Sequence, residues 1–190
     1  MEGITRGLEL KNPYIAQLEA LKLPKRQSKL GYASLFCGGG GLDLGFALAG
    51  FRPLFSTDVE ETYCKTIRTN LGKHLSEPHC MTGLSGDYVR SAVGREIDVV
   101  IGGPPCQSFS ILGARKATAD PRGRLVFEFA RFIKEIQPKA FLFENVPGIL
   151  SVGNGKDWNE LLTYLKTTTG YHLSWTKLNA VSFGVPQYRE

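Results

Sequence analysis

The chain has 190 residues, 42% hydrophobic and 22% charged, which suits one domain with a sizeable core and excludes a disordered or fibrous chain. No apolar run approaches the roughly 20 residues of a membrane helix, and the opening "MEGITRGLELKNPY" lacks the apolar centre of a signal peptide. The expectation is a cytoplasmic protein without membrane contact, nucleoid-associated if bacterial; its formal charge of +5 permits a polyanionic partner without requiring one.

Residues 1–30 read as an N-terminal extension. A short helix is expected over residues 13–22, with Asn12 as its cap and Pro13 at its first position, followed by the basic linker "KLPKRQSK". Residues 31–190 then alternate strand and helix signals. "YASLF" is a short apolar strand, followed by glycines and an apolar-periodic stretch over residues 42–49. "PLFST" is a second strand and residues 60–70 a helix. "IDVVIGG" is a buried, β-branched strand. Leu125, Val126, Phe129, Phe132, Ile133 and Ile136 recur at helical spacing, and "AFLFEN" follows as another strand. A helix over residues 157–165 leads into "YHLSWTKLNA". This alternation predicts an α/β fold, a mostly parallel sheet with helices on both faces. Ligands of such sheets bind outside the carboxyl ends of the strands.

The candidate chemistry sits at those ends. In "LFCGGGGLDLGF", glycines between a strand and a helix let a ligand approach the backbone, and the helix N-terminus adds oriented N–H groups. Asp58 follows about 20 residues later, where nucleotide-binding α/β domains place a ribose-binding carboxylate. The pattern predicts a nucleoside-containing cofactor and leaves both NAD and S-adenosylmethionine open. Asp87 in "SGDYVR" is either a second contact or a helix cap.

Cys37, Cys64, Cys80 and Cys106 form no Cys-x-x-Cys pair, so no metal site is indicated, and reduced thiols are expected. His74, His79 and His172 fall outside these motifs and read as surface or packing residues. In "GGPPCQSFS", two prolines restrict the backbone ahead of Cys106, which reads equally as a nucleophile or a structural cysteine. Glu144 and Asn145 close an apolar strand, either as a turn cap or as a carboxyl group in an apolar mouth that gives a proton. Residues 107–121 between them lack periodicity and carry Arg115 and Lys116; loops of this length are commonly lids.

The stretches "LFCGGGGLDLGF", "STDVE", "GGPPCQSFS", "DPRGRLVFEFARFIKEIQPKAFLFENVPG" and "LNAVSFGVPQYRE" resemble, in order and spacing, successive motifs of the cytosine-C5 DNA methyltransferase family. The resemblance runs from about Tyr32 to Glu190 and implies a Rossmann-like fold that uses S-adenosylmethionine on double-stranded DNA. It matches Phe36, Gly38 and Gly40 to the cofactor loop and Asp58 to the ribose ligand. Val59 matches the residue beside the adenine, Asp87 the contact to its amino group, and Pro105 and Leu125 further cofactor contacts. Cys106 matches the nucleophile that adds to cytosine C6, and Glu144 the acid at N3. Residues 107–121 resemble the catalytic loop, where Gln107, Ser108, Arg115 and Lys116 are expected to meet DNA.

Gln187 and Arg189 match the start of the family's Gln-x-Arg-x-Arg pattern, with Arg189 in the catalytic set; its second arginine would be residue 191. The family's next strand, target-recognition region and late helix lie beyond that point. Three expectations follow: a fragment, one subunit of a split enzyme whose second chain supplies the missing parts, or a binding remnant. A tRNA cytosine methyltransferase and a non-catalytic regulatory subunit are the alternative functions.

Overall fold

The computed structural model describes residues 23–24, 28–72, 74–105 and 124–189, the side chains of residues 152 and 153 excepted. The helix expected over residues 13–22 lies outside the described residues. Strands β1 (Gly31–Leu35), β2 (Arg52–Asp58), β3 (Leu75–Pro78), β4 (Val99–Gly102) and β5 (Ala140–Phe143) form one sheet in the order β3-β2-β1-β4-β5. Every pairing is parallel. The connecting helices are α1 (Gly41–Leu48), α2 (Glu61–Leu71), α3 (Gly86–Val93) and α4 (Leu125–Ile136), with α5 (Lys156–Thr169) after β5.

The central strand shows why the sheet is covered on both sides. β1 is buried along its whole length, and successive side chains of a strand point to opposite faces. Ala33 and Leu35 join a core with Phe129, Phe132 and Ile133 of α4. Tyr32 and Ser34 face α1 instead: the Tyr32 hydroxyl donates to the Asp43 backbone oxygen at 2.9 Å, and Ser34 Oγ to Asp43 Oδ2 at 2.8 Å. Such two-sided burial is the usual environment of parallel sheets.

Asp43 is fully buried, and Ser56 Oγ donates to its other oxygen at 2.6 Å. Burial pushes this carboxyl above its ordinary range, against the two hydroxyls that favour its ionised form.

The expected periodicity of α4 is realised, with Val126, Phe129, Ala130, Phe132, Ile133 and Ile136 all buried. Val126 and Ala130 form a second cluster with Ile149 and with Leu161 and Leu165 of α5. α5 outruns the expected residues 157–165 because Leu161, Leu165 and Thr169 extend one buried face to Gly170, whose φ of 80° ends the helix. Residues 171–179 adopt neither helix nor strand. Among the described residues no helix is long and apolar enough to cross a membrane, and no cluster of His, Cys, Asp and Glu could hold a metal ion.

The strand order reverses between β1 and β4, which opens a crevice at their carboxyl ends.

Candidate active site

Beyond β1 the chain turns through Phe36 (φ 55°), Gly38 (φ 48°) and Gly40 (φ 88°), the last being the N-cap of α1. The positive φ at Gly40 strains any other residue, and a Cβ there would also lie 2.5 Å from Ile67 Cδ1, so that side chain would have to shift. The loop is fastened to β2: the Gly38 N–H donates to Asp58 Oδ2 at 3.0 Å, while Asp58 Oδ1 accepts from Val59 N at 2.8 Å and Glu60 N at 3.3 Å. One carboxylate thus organises both the glycine loop and the entry to α2.

A cavity of about 360 Å³ opens beside this carboxylate, within the range of about 300–1,000 Å³ usual for small-molecule sites. Phe36, Asp58, Val59, Pro105 and Leu125 line it, so the ends of β1, β2 and β4 and the start of α4 bring five expected cofactor residues together. Gly38 and Gly40 shape the loop without lining the cavity.

Asp87 lies elsewhere. It stands in the first turn of α3, its side chain 87% exposed and paired with Arg90, while Ser85 caps the helix by accepting from Tyr88 N at 3.2 Å. The cavity wall past β3 is made by His79, Cys80 and Met81, which the sequence reading missed.

Glu144 follows β5, its N–H donating to the Gly102 oxygen at 2.9 Å. Its side chain is exposed rather than enclosed in an apolar mouth, because β5 is the edge strand of the described sheet. It lines a second groove of about 530 Å³ with Leu142, Asn145, Trp158 and Trp175. Gly103 joins the two spaces: it lines the first cavity, and a Cβ there would come within 2.8 Å of Glu144 Oε2. Arg189 has an exposed side chain and lines neither space; its backbone oxygen accepts from Ala180 N at 2.8 Å.

Cys106, Gln107, Ser108, Arg115 and Lys116 lie outside the described residues. Pro105 and Leu125, on either side of that segment, line the same cavity. Of the other thiols, Cys37 and Cys64 are buried and Cys80 is exposed. Burial pushes the Cys37 thiol far up, with the nearby Asp43 carboxylate adding to it.

Residues 30–190 match the family model of the C-5 cytosine-specific DNA methylases. The chain belongs to this family. It is 40% identical over 167 residues to the type II methyltransferase M.AquIA of Picosynechococcus, which covers 83% of this chain and 67% of that protein. Against M1.HphI of Haemophilus parahaemolyticus the identity is 44% over 163 residues, covering 84% and 44%. Among solved structures, a prophage-encoded DNA modification methyltransferase of E. coli superposes with a TM-score of 0.72 at 31% identity, over 85% of this chain and 44% of that one. S. pombe Dnmt2, at 20% identity and a TM-score of 0.62 over 84% of this chain and 46% of its own, shares the fold. The family's Rossmann-like methyltransferase architecture is the one seen here, and the chain spans between about half and two thirds of these relatives' lengths.

Proposed function

We propose that this chain carries the catalytic core of a DNA cytosine-C5 methyltransferase, with S-adenosylmethionine as methyl donor and a cytosine flipped out of double-stranded DNA as acceptor. One observation carries the reading: Phe36, Asp58, Val59, Pro105 and Leu125, scattered through the sequence, line one cavity at the carboxyl ends of the strands.

The residues present fit that donor. Asp58 offers a carboxylate to ribose hydroxyls, and Val59, Pro105 and Leu125 offer apolar surface to a base. Bound there, S-adenosylmethionine supplies an electrophilic methyl group.

Cytosine C5 is a weak nucleophile until the ring is activated. In this reading the Cys106 thiolate forms a bond to C6, and the displaced electrons move through the ring to N3, where Glu144 gives a proton or a hydrogen bond. C5 is left as an enamine carbon. Once C5 carries the methyl group, loss of its proton and expulsion of the thiolate restore the aromatic ring. The base must leave the duplex stack first. Gln107, Ser108, Arg115 and Lys116 meet the DNA, the basic pair at its phosphates, and Arg189 belongs to the catalytic set.

Two measurements test this. Isothermal titration with S-adenosylhomocysteine should show binding that Asp58→Ala weakens by about tenfold or more; absence of binding at millimolar ligand overturns the cofactor assignment. Duplex DNA containing 5-fluorocytosine, with cofactor present, should trap a covalent adduct that Cys106→Ser abolishes. An adduct that survives the substitution removes Cys106 from its role.

The groove beside β5 supports a further part of the reading. It is lined by Leu142, Trp175 and Leu178, which are 40%, 55% and 58% exposed. Additional polypeptide, in the same chain or from a second one, covers this face and reads the DNA sequence. Site-specific methylation by the 190-residue chain alone would overturn that dependence.

A further inference from the structure

Helix α1 buries a face that hydrophobicity alone would leave outside. Asp43 and Ala47, one turn apart, are its buried residues. Leu44, the next residue, is 42% exposed, and Leu48 one turn beyond it is half-buried. Successive helix positions are about 100° apart, so turning α1 by one position would bury the two leucines and bring the carboxyl to water. Apolar burial favours that turn, and the observed helix does not make it.

The opposing force is a set of hydrogen bonds from two strands. Ser34 of β1 donates to Asp43 Oδ2 at 2.8 Å, and Ser56 of β2 donates to Oδ1 at 2.6 Å. The Tyr32 hydroxyl adds a bond to the Asp43 backbone oxygen at 2.9 Å, and Ser56 Oγ is itself in contact with His74 Nε2 at 2.9 Å. Each carboxyl oxygen thus holds a hydroxyl from a different strand, which fixes the direction of the group as well as its depth. A carboxylate in the first turn also meets the positive end of the helix dipole.

The rotation of α1 matters because the glycine loop, residues 36–40, runs straight into it. The Gly40 N–H donates to the Cys37 oxygen at 2.9 Å, and the Gly40 oxygen accepts from Leu44 N at 2.8 Å as the first bond of the helix. Asp58 holds the loop at Gly38, on the β2 side. Its other end has no side-chain cap, since Gly40 is the N-cap of α1. Asp43 lines neither the cofactor cavity nor the groove beside β5.

We propose that Asp43 is the positioning residue of the glycine loop: its bonds to Ser34 and Ser56 set the rotation of α1 against the burial of Leu44 and Leu48, and so hold Gly38 and Gly40 in the shape that receives the cofactor. The proposal rests on the cofactor reading given above. Asp43 touches no ligand in it and acts through the helix.

The test uses the full chain, native-state amide exchange and S-adenosylhomocysteine. In Asp43→Ala the amides of Gly38, Gly40 and Leu44 should exchange about tenfold faster or more. A residue that merely lent stability would speed the slowest amides of α4, which exchange through global unfolding, and leave those of the loop unchanged. Affinity for S-adenosylhomocysteine, measured below the onset of unfolding, should fall by about tenfold or more in Asp43→Ala. Asp43→Asn should stay within about threefold, because its oxygen still accepts from Ser56 and its NH₂ can donate to the Ser34 hydroxyl. Adding Leu44→Gln to Asp43→Ala should recover affinity by about threefold or more, since a leucine competing for the buried face is gone.

Unchanged loop exchange in Asp43→Ala overturns the positioning role. Asp43→Asn as harmful as Asp43→Ala overturns the hydrogen-bond basis, and no recovery with Leu44→Gln overturns the rotation. If Asp43→Ala fails to fold, Ser34→Ala decides: losing one of the two donors should speed the loop amides by about threefold or more, and unchanged exchange overturns the proposal. A wild-type chain that binds no S-adenosylhomocysteine sinks the cofactor reading and this proposal with it, whereas binding that Asp43→Ala leaves unchanged sinks this proposal alone.

Discussion

Asn145 donates its side-chain amide to the backbone oxygen of Pro104 at 3.0 Å, while its own Oδ1 accepts the Val146 N–H at 2.8 Å. This bond ties the chain after β5 to the proline pair that precedes Cys106. Pro104 is buried, so its oxygen loses a partner it cannot replace with bulk water. Asn145→Ala should therefore lower stability by about 1–3 kcal/mol in urea unfolding. Asn145→Asp, which sets a carboxylate against that oxygen, should do at least as much harm. Equal unfolding midpoints for wild type and Asn145→Ala would show the bond to be dispensable.

Gly102 and Gly103 are neighbours with opposite tolerances. A Cβ at Gly102 would lie 2.7 Å from the Leu35 backbone oxygen and 3.0 Å from Phe129 Cε2, inside the parallel sheet. Backbone there cannot yield cheaply, so Gly102→Ala should cost about 1–3 kcal/mol or more. At Gly103 the obstacle is Glu144 Oε2, the far end of a flexible side chain. Gly103→Ala should keep its stability within about 0.5 kcal/mol and displace the Glu144 carboxylate, lowering the yield of adduct on 5-fluorocytosine DNA. Parallel melting curves and adduct gels on the two variants check both halves.

Asp58 accepts from Gly38, Val59 and Glu60 together. Asp58→Asn retains one oxygen and turns an NH₂ donor towards N–H groups that need an acceptor. The glycine loop should loosen, seen as faster amide exchange at Gly38, and S-adenosylhomocysteine affinity should fall by about tenfold. Unchanged exchange at Gly38 would mean that the loop holds its shape without this carboxylate.

How far the site could be read from sequence depended on the length and composition of each element. α4 was legible because its six buried residues repeat at helical spacing, β4 because it is apolar and β-branched, and β1, "GYASL", because it is a short, mostly apolar run ahead of the glycines. β3, "LSEP", has four residues with no β-branched side chain and ends in proline. It carries little strand signal, so the turn from His79 to Met81, which lines the cavity, was not singled out. Glu144 was correctly placed at a strand end, but strand order, which leaves β5 at the edge, is not written in local sequence. "YHLSWTKLNA" alternates polar and apolar residues, yet alternation becomes a ladder only beside a partner that pairs with its backbone groups. The roles of Cys106 and Glu144 came from motif resemblance rather than from any periodicity.

The buried polar seam under the glycine loop gives the chain a signed response to acid. Ser56 Oγ donates to Asp43 Oδ1, so it receives its contact with His74 Nε2, 2.9 Å away, from the imidazole N–H. His74 Nδ1 is buried and has no hydrogen-bond partner among the described residues. A protonated ring would bury a second N–H there with no acceptor, and burial accordingly lowers the His74 pKa to about 4. Between its unfolded value near 6.5 and about 4, the unfolded chain binds a proton that the folded chain refuses. Stability from this group is complete above pH 6.5 and declines as pH falls through that window, by at most about 1.4 kcal/mol per pH unit.

Asp43 acts in the opposite sense. Its carboxyl is raised by burial, so its contribution is complete below its unfolded value and is lost as pH rises through the folded one. His74→Gln should therefore flatten the acid-side loss of stability between pH 6.5 and 4, and Asp43→Asn should steepen it. Urea unfolding of wild type and both variants across that range measures the slopes. Parallel curves for wild type and His74→Gln would show that the imidazole does not titrate differently on folding.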